Sequence, residues 1–178
     1  MNYLIRQKFF LEGKVGVGVV GTRLYRLPLE QVSVVIHRQS IVHSLVEYWD
    51  GAVLAQLGTP DMRLPIRYAM TYPARGESLA KPLDLTACPP LTFAAPDRAT
   101  FPCLHLAEEA AAEGGTACAI LNGANEEAVR LFLQERIGFY DISHLTAKAR
   151  SAVSVVQKPS LEDILEADAA ARRCVLGD

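Results

Sequence analysis

Apolar and β-branched residues dominate residues 31–57, and their pattern indicates strands. Residues 32–37 read Val-Ser-Val-Val-Ile-His, which is typical of a strand. Two further apolar segments, residues 41–49 and 52–57, flank the dipeptide Asp50-Gly51. Because Asp-Gly readily adopts the positive φ angles of a type I′ turn, the pattern predicts a β-hairpin in which Trp49 pairs with Ala52.

That pairing assigns each hairpin side chain to one of two faces of the sheet. One face is apolar and carries Val46, Tyr48, Val53, Ala55 and Leu57. The other face carries Leu45, Trp49 and Leu54 together with His43, Glu47 and Gln56. The second face is too apolar for plain solvent, so we expect a second subunit to cover it.

The next segment contains helix-start signals that are interrupted by proline. Thr59-Pro60-Asp61 combines a capping hydroxyl, a proline and an acid, in the order that favours a helix N-terminus. Pro65 breaks a helix that starts there, so we expect a short turn and then a helix over about residues 65–71. Residues 72–102 are rich in proline and show little periodicity, which indicates a connecting segment.

Beyond Phe101 the apolar residues recur at helical spacing. The predicted helix starts are Pro102, Thr116, Ser143 and Ser160, and the predicted stops of the first three are Gly114-Gly115, Arg136 and the residue before Pro159. Ser160 and Asp163 form a capping-box pattern. The second helix presents a continuous apolar stripe made of Ile120, Leu121, Ala124, Ala128, Leu131 and Phe132. Four helices joined by short loops predict a small bundle.

These elements together predict an α+β fold with a small β-sheet domain followed by a C-terminal four-helix bundle. We expect residues 1–75 to hold the sheet and hairpin, residues 76–100 to form a linker, and residues 101–178 to form the helical bundle. A chain of 178 residues is long enough for this arrangement.

Charge and cysteine content narrow the functional classes. Lys and Arg total 18 and Asp and Glu total 20, so the net charge of −2 gives no reason to expect nucleic acid or an anionic membrane as a partner. No run approaches the roughly 18 apolar residues of a membrane span. The cysteines, Cys88, Cys103, Cys118 and Cys174, lack CxxC spacing, which favours reduced thiols in a cytoplasmic, soluble protein.

Few short motifs carry chemistry. Gly16, Gly18 and Gly21 match a dinucleotide-binding glycine pattern, but Pro28 leaves too little chain for the crossover helix and no acid follows at the spacing that ribose binding requires. A glycine-rich turn or strand is the preferred interpretation. His37 and His43 are too far apart on one strand to share a metal ion, so separate hydrogen-bonding roles are favoured over catalysis or ligand contact.

Hydrolase chemistry has no support, because neither GxSxG nor HExxH occurs. The acidic residues of the last helix, Glu162, Asp163, Glu166 and Asp168, are interpreted as dipole-complementing or solvated groups and not as metal ligands. Residues 122–126 (NGANE) form a polar patch within a helix, whose amides are expected to bond a neighbouring loop.

Several longer strings together resemble one enzyme family. They are residues 37–44 (HRQSIVHS), 53–65 (VLAQLGTPDMRLP), 91–93 (LTF), 101–104 (FPCL), 121–126 (LNGANE) and 137–142 (IGFYDI). In this order they resemble the 1-deoxy-D-xylulose 5-phosphate reductoisomerases of the non-mevalonate (methylerythritol phosphate) isoprenoid pathway. The likeness extends from about Leu24 to the C-terminus.

The resemblance implies a fold and a reaction. Members of that family have an NADPH-binding α/β domain, a connective catalytic domain whose sheet forms the homodimer contact, and a C-terminal helical bundle. They convert 1-deoxy-D-xylulose 5-phosphate to 2-C-methyl-D-erythritol 4-phosphate with NADPH and Mg²⁺ or Mn²⁺. Only the second and third parts have a counterpart here, so we expect this chain alone to bind neither NADPH nor the metal ion.

The resemblance also assigns roles to individual residues. Pro60 and Met62 match the family's Pro-Asp-Met segment, which packs near the nicotinamide ring. Lys14 matches a phosphate-side catalytic lysine, although Val17 stands where the family has a metal-binding glutamate. Arg38 departs from the family's His-Pro-Gln-Ser string. No metal ligand is therefore assigned.

Two functions remain open at this point, and so does the question whether the chain is an enzyme. One is a reductoisomerase fragment or subunit that becomes active only with a chain supplying the NADPH domain. The other is a non-catalytic dimerisation or interaction module derived from that enzyme. Loss of the metal ligands favours the second for the isolated chain, because electrostatic stabilisation of the transition state usually contributes more to catalysis than any other effect.

Overall fold

The computed structural model describes residues 6–10, as backbone only, and residues 28–177. Lys14 and the glycine pattern at residues 16–21 lie outside the described residues. The chain divides into two compact units, Met1–Lys14 with Glu30–Pro96, and Val15–Leu29 with Asp97–Asp178. We call these the sheet unit and the helical unit and describe each by itself.

The described residues of the sheet unit form four strands, β1 (Arg6–Phe10), β2 (Val32–Val35), β3 (Val42–Glu47) and β4 (Val53–Leu57). A short 3-10 helix, Leu29–Gln31, precedes β2. The strand order is β2-β1-β3-β4, with β1 parallel to β2 and antiparallel to β3, and β3 antiparallel to β4. The predicted hairpin is therefore formed by β3 and β4, and β4 lies at an edge of the sheet.

The hairpin has a three-residue loop, so the predicted register is wrong by one residue. Tyr48, not Trp49, pairs with Ala52, and its N–H donates to the Ala52 carbonyl at 2.9 Å. Gly51 has φ +84° and donates to the Tyr48 carbonyl at 3.0 Å. A tight turn that ends in a left-handed glycine accommodates the third loop residue. The Asp50 carboxylate accepts from Ala52 N–H at 2.9 Å and stabilises the loop.

The one-residue shift redistributes the side chains between the faces. Val46 pairs with Leu54, and Glu47 pairs with Val53. Leu54 thus shares a face with Val46, whereas the prediction had placed them on opposite faces. A register irregularity between Val42 and Ser44 separates the end of the hairpin from the rest of the ladder.

The first helix of the described residues, α1 (Arg63–Thr71), confirms the predicted turn and helix but not the predicted cap. The hydroxyl of Thr59 donates to the Lys81 carbonyl at 2.7 Å instead of capping the helix. The carboxylate of Asp61 instead accepts from the Arg63 N–H, the first helical amide, at 2.9 Å. No residue of α1 is buried within the described part of the chain.

Residues 76–96, where a linker was expected, belong to the sheet unit. Ile36 and Ala94 form a two-way backbone bridge, with N–H to carbonyl distances of 2.9 and 3.0 Å. This bridge runs antiparallel and lies outside the four named strands. The segment has little regular secondary structure, yet it is attached to the sheet by specific contacts.

The helical unit contains the four predicted helices, α2 (Cys103–Glu113), α3 (Ala117–Leu133), α4 (Asp141–Ala152) and α5 (Leu161–Leu176). Helix α3 packs against α4, α5 and α2 and is the centre of the bundle. Five of the six residues of its predicted stripe are buried, and Phe132 packs beside them partly exposed. The α+β fold is therefore confirmed.

The helix caps were predicted with mixed success. The Ser160–Asp163 capping box is present, with the Asp163 N–H 3.1 Å from the serine hydroxyl and the Ser160 N–H 2.8 Å from the carboxylate. Thr116 is fully buried, and its hydroxyl accepts from the distant Val156 N–H at 3.0 Å instead of capping α3. Ser143 lies inside α4, where its hydroxyl donates to the Tyr140 carbonyl at 2.9 Å.

The NGANE patch of α3 contacts a helix, and the predicted contact with a loop is not among its described hydrogen bonds. The carboxylate of Glu126 accepts from the Arg172 guanidinium at 2.6 Å, and Arg172 also binds Asp168 of α5 at 2.7 Å. Gly123 faces Asp168 at very short range. The patch therefore joins α3 to α5.

The described residues add two negative findings. None of their helices is long and apolar enough to cross a membrane. All four cysteines are free thiols and partly buried, and burial raises the pKa of the Cys103 thiol.

Candidate functional site

Residues 58–62 connect β4 to α1, and both backbone polar groups of their first residue, Gly58, are hydrogen-bonded. The Gly58 N–H donates to the Ile41 carbonyl at 3.0 Å. The Gly58 carbonyl lies 3.2 Å from His43 Nε2, which donates when that nitrogen is protonated. Ile41, just before β3, and His43, within β3, therefore fix the point where this segment leaves the sheet.

The middle of the segment is held by side-chain hydrogen bonds. Thr59 is tied to Lys81 as described above, and Asp61 forms a bidentate ion pair with Arg63, whose closest contact is 2.6 Å. Hydrogen bonding from Arg63 holds the pKa of the Asp61 carboxyl below its ordinary value, and the same contact raises the pKa of Arg63. Asp61 is thus a paired carboxylate that shapes the turn.

The two residues matched to the nicotinamide contact, Pro60 and Met62, lie on the surface of the sheet unit. Pro60 is exposed, and 72% of Met62 is accessible. Ile66 and Met70 follow Met62 at intervals of one helical turn and are also exposed, so an apolar stripe runs along α1. An exposed thioether on a turn that is held by hydrogen bonds offers an adaptable apolar contact for a planar ring.

The opposite side of α1 is covered by its own connection. The Arg67 guanidinium donates to the Glu77 carbonyl and lies so close to Gly76 that a Cβ there would be 2.5 Å from it. The Arg75 guanidinium stands 4.2 Å from the centre of the Tyr68 ring, a cation–π contact. These contacts fix the orientation of α1 and of the stripe that it exposes.

His37 lies in a separate buried cluster. It is 3% exposed, its Nδ1 lies 2.8 Å from the Thr92 carbonyl, and its ring stacks on Phe93 with centroids 4.8 Å apart. The two histidines thus bond to different carbonyls, as expected of separate hydrogen-bonding roles. Sequence reasoning missed Thr92, because nothing local to it indicates a partner so far away in the chain.

The helical unit holds ion pairs that serve packing. Arg150 of α4 binds Glu109 and Glu113 of α2, each at 2.9 Å. The buried Glu127 is paired with Arg130, whose hydrogen bond lowers the pKa of the carboxyl. No group of three or more His, Cys, Asp or Glu residues in the described part of the chain is arranged to hold a metal ion.

Comparison with protein families identifies the C-terminal part of this chain. The model of the DXP reductoisomerase C-terminal domain matches residues 57–174. The matched region begins in the last residue of β4, includes the anchored segment and α1, and continues into α5.

Individual relatives are similar over most of this chain. 1-Deoxy-D-xylulose 5-phosphate reductoisomerase of Acetivibrio thermocellus is 50% identical over 152 residues, which are 85% of this chain and 40% of the relative. The enzyme of the same name from Synechococcus sp. is 53% identical over 150 residues, 84% of this chain and 38% of the relative. The chain therefore spans about two fifths of the length of these relatives.

Solved structures agree with this likeness. The reductoisomerase from Zymomonas mobilis in complex with NADPH is 40% identical with a TM-score of 0.83, over 92% of this chain and 44% of that one. A DOX-P reductoisomerase in complex with NADPH, fosmidomycin and magnesium is 42% identical with a TM-score of 0.85, over 91% of this chain and 42% of that one.

Proposed function

This chain belongs to the DXP reductoisomerase family through that family's C-terminal domain, and on this basis we propose that it supplies the C-terminal part of a reductoisomerase of the methylerythritol phosphate pathway. In this proposal turnover also requires the remaining part of the family's enzymes, which this sequence does not span. That part is supplied by the same polypeptide or by another one. Conversion of 1-deoxy-D-xylulose 5-phosphate then takes place in the assembled protein, in the cytoplasm.

The observation that carries the proposal is the anchored yet exposed segment at residues 58–62. Its first residue is held by Ile41 and His43, and its last, Met62, is free to meet a ligand or a further domain. A contact surface that is ordered before binding avoids part of the entropic cost of association. Two relatives of known structure were solved with NADPH, and the region matched by the family model, residues 57–174, includes this segment.

The residues present fit part of the cofactor requirement. Pro60 and Met62 provide an apolar surface for one face of a nicotinamide ring, where NADPH, when bound, supplies the hydride. The described residues offer no set of ligands for Mg²⁺ or Mn²⁺, and Asp61 is already paired with Arg63. We propose that the metal ligands and the remaining NADPH contacts come from the rest of the assembled enzyme.

Complementation tests this function. The chain is mixed or co-expressed with the part of the Acetivibrio thermocellus relative that precedes the matched region, and NADPH oxidation is followed with 1-deoxy-D-xylulose 5-phosphate and Mg²⁺ or Mn²⁺. We expect turnover that depends on both polypeptides and on the metal, and none from either alone. Met62→Lys should raise the KM for NADPH, whereas Met70→Lys, further along the same stripe, is the matched control.

A second candidate function is a dimerisation module, and the edge strand β4 favours it. All of its residues are exposed, including Val53 and Leu54, and it contains neither charge nor proline. An unprotected apolar edge strand is a template for pairing with another chain. We propose that two copies associate through this part of the sheet, which is compatible with the first function, since a dimerisation module and an enzyme part can share one fold.

A further inference from the structure

Thr92 and Gln39 make a two-point contact between segments that lie 53 residues apart. The Gln39 amide nitrogen donates to the Thr92 hydroxyl at 2.8 Å. The Gln39 amide oxygen accepts from the Thr92 N–H at 3.2 Å and from its hydroxyl at 3.1 Å. Both ends of one side-chain amide are thereby engaged by a single threonine, which fixes the amide's plane.

Residues 92–94 also contact Ile36 and His37, which lie just before Gln39. The carbonyl of Thr92 lies against His37 Nδ1, Phe93 stacks on the His37 ring, and Ala94 bridges Ile36. Neighbouring residues of the two segments, 36–39 and 92–94, are thus joined by a series of contacts. We call residues 36–39 with residues 92–94 the latch.

The latch encloses a strained turn. The Ser40 N–H donates to the His37 carbonyl at 3.2 Å, and Ser40 has φ +51°. Non-glycine residues rarely adopt this conformation, and it persists where surrounding contacts impose it. The next residue, Ile41, is buried, and its carbonyl accepts from the Gly58 N–H. The conformation of the turn therefore decides where the anchor of residues 58–62 lies.

From this geometry we infer that Gln39 and Thr92 are positioning residues for the Pro60–Met62 contact, acting through the His37–Ser40 turn and Ile41. The role in cofactor contact rests on the proposed function, but the positioning does not. Thr92 lies within residues 76–100, where the sequence indicates a linker, and it touches none of residues 58–62 in its described hydrogen bonds. Its effect is transmitted through backbone geometry.

Amide hydrogen exchange of the full chain tests the inference. Thr92→Val keeps the shape of the side chain and removes the hydroxyl. We expect exchange of the Gly58 N–H to accelerate about 5- to 10-fold, the scale of one lost hydrogen bond, while the Tyr48 N–H at the far end of the same hairpin is unchanged. Thr92→Ser should restore the slow rate.

Thr86→Val is the matched control, because the Thr86 hydroxyl bonds only to Asp84, two residues away, among its described hydrogen bonds. It should leave both amides unchanged. An unaltered Gly58 rate in Thr92→Val, or equal acceleration of Gly58 and Tyr48, would overturn the inference. In the complemented enzyme Thr92→Val should also raise the KM for NADPH, and an unchanged KM in an active enzyme would overturn the role in cofactor contact, which rests on the proposed function. Absence of any turnover bears on the proposed function alone, since the exchange readout needs no cofactor.

Discussion

Gly123 of α3 and Asp168 of α5 pack so closely that no side chain fits between them. A Cβ at position 123 would lie 2.6 Å from the Asp168 carboxylate and 2.8 Å from its backbone carbonyl. Because one of these atoms belongs to the backbone, rotation of the aspartate alone cannot relieve the clash. The glycine thus determines how near the two helices approach.

Gly123→Ala should destabilise the protein in spite of the better helix propensity of alanine. We expect the overpacking cost of about 1–3 kcal/mol to outweigh the roughly 1 kcal/mol that alanine contributes in a helix. Chemical denaturation of both proteins measures the difference. Asn122→Ala, at the exposed neighbouring position, is the control and should be neutral or slightly stabilising. A Gly123→Ala protein more stable than the wild type would contradict the packing argument.

Thr116→Val should cost about 1–3 kcal/mol, because it leaves the Val156 N–H without the hydroxyl that accepts from it. Thr116→Ser retains the acceptor and should lose much less stability. The measurement is the free energy of unfolding of the wild type and of the two variants. A valine variant that is at least as stable as the serine variant would contradict the role of the hydroxyl, because serine keeps the acceptor for the Val156 N–H and valine does not.

The carboxyl of Glu127 should make the free energy of unfolding depend on pH in the acidic range. Arg130 lowers the pKa of its carboxyl below the ordinary value of 4.5, so the folded protein holds the proton less tightly than the unfolded chain does. The stabilisation is present above that value and disappears as the pH falls through the lower, folded-state pKa. Glu127→Gln should therefore show a flatter loss of stability on acidification.

Arg130→Gln serves as the partner variant, since it removes the largest cause of the lowered pKa and leaves the carboxyl in place. Its stability should also vary less with acid than that of the wild type. Thermal unfolding across a pH series from neutral to below about 4 is the measurement. If both variants follow the wild-type curve, the Glu127–Arg130 pair contributes nothing to the pH dependence.

The wild-type chain should sediment as a dimer, and charges placed on the hairpin should dissociate it. Trp49 is 75% exposed in the loop, and Leu54 is 61% exposed on the edge strand. Burying an unpaired glutamate at either position should cost about 3 kcal/mol, or roughly a hundredfold in Kd. Sedimentation velocity over a concentration series compares Trp49→Glu and Leu54→Glu with the wild type.

Leu161→Glu, at an exposed leucine of the helical unit, is the control for that experiment and should leave the dimer intact. A wild-type chain that is monomeric at every concentration would rule out the proposed association. A dimer that survives both hairpin variants would place the contact on another surface.

Local sequence pattern was sufficient to predict the presence and approximate place of the helices α2 to α5. The apolar stripe of α3 and the Ser160–Asp163 capping box depend on residues within a few positions of one another, so periodicity and capping rules describe them correctly. Pro60 and Met62 lie in a segment that the structure shows to be anchored at Gly58 and exposed at Met62, and their contact with the nicotinamide ring stays a prediction.

Tertiary structure determined the hydrogen-bond partners of side chains that could bond either locally or to a distant residue. The hydroxyls of Thr59 and Thr116 could each cap the following helix, but they bond to Lys81 and Val156, which folding brings near. The hairpin register depended on Gly51 alone taking a positive φ within a three-residue loop, a choice that Asp50-Gly51 leaves open. Hydrogen bonds of comparable energy compete for each such group, and only the folded chain determines which partner lies within reach.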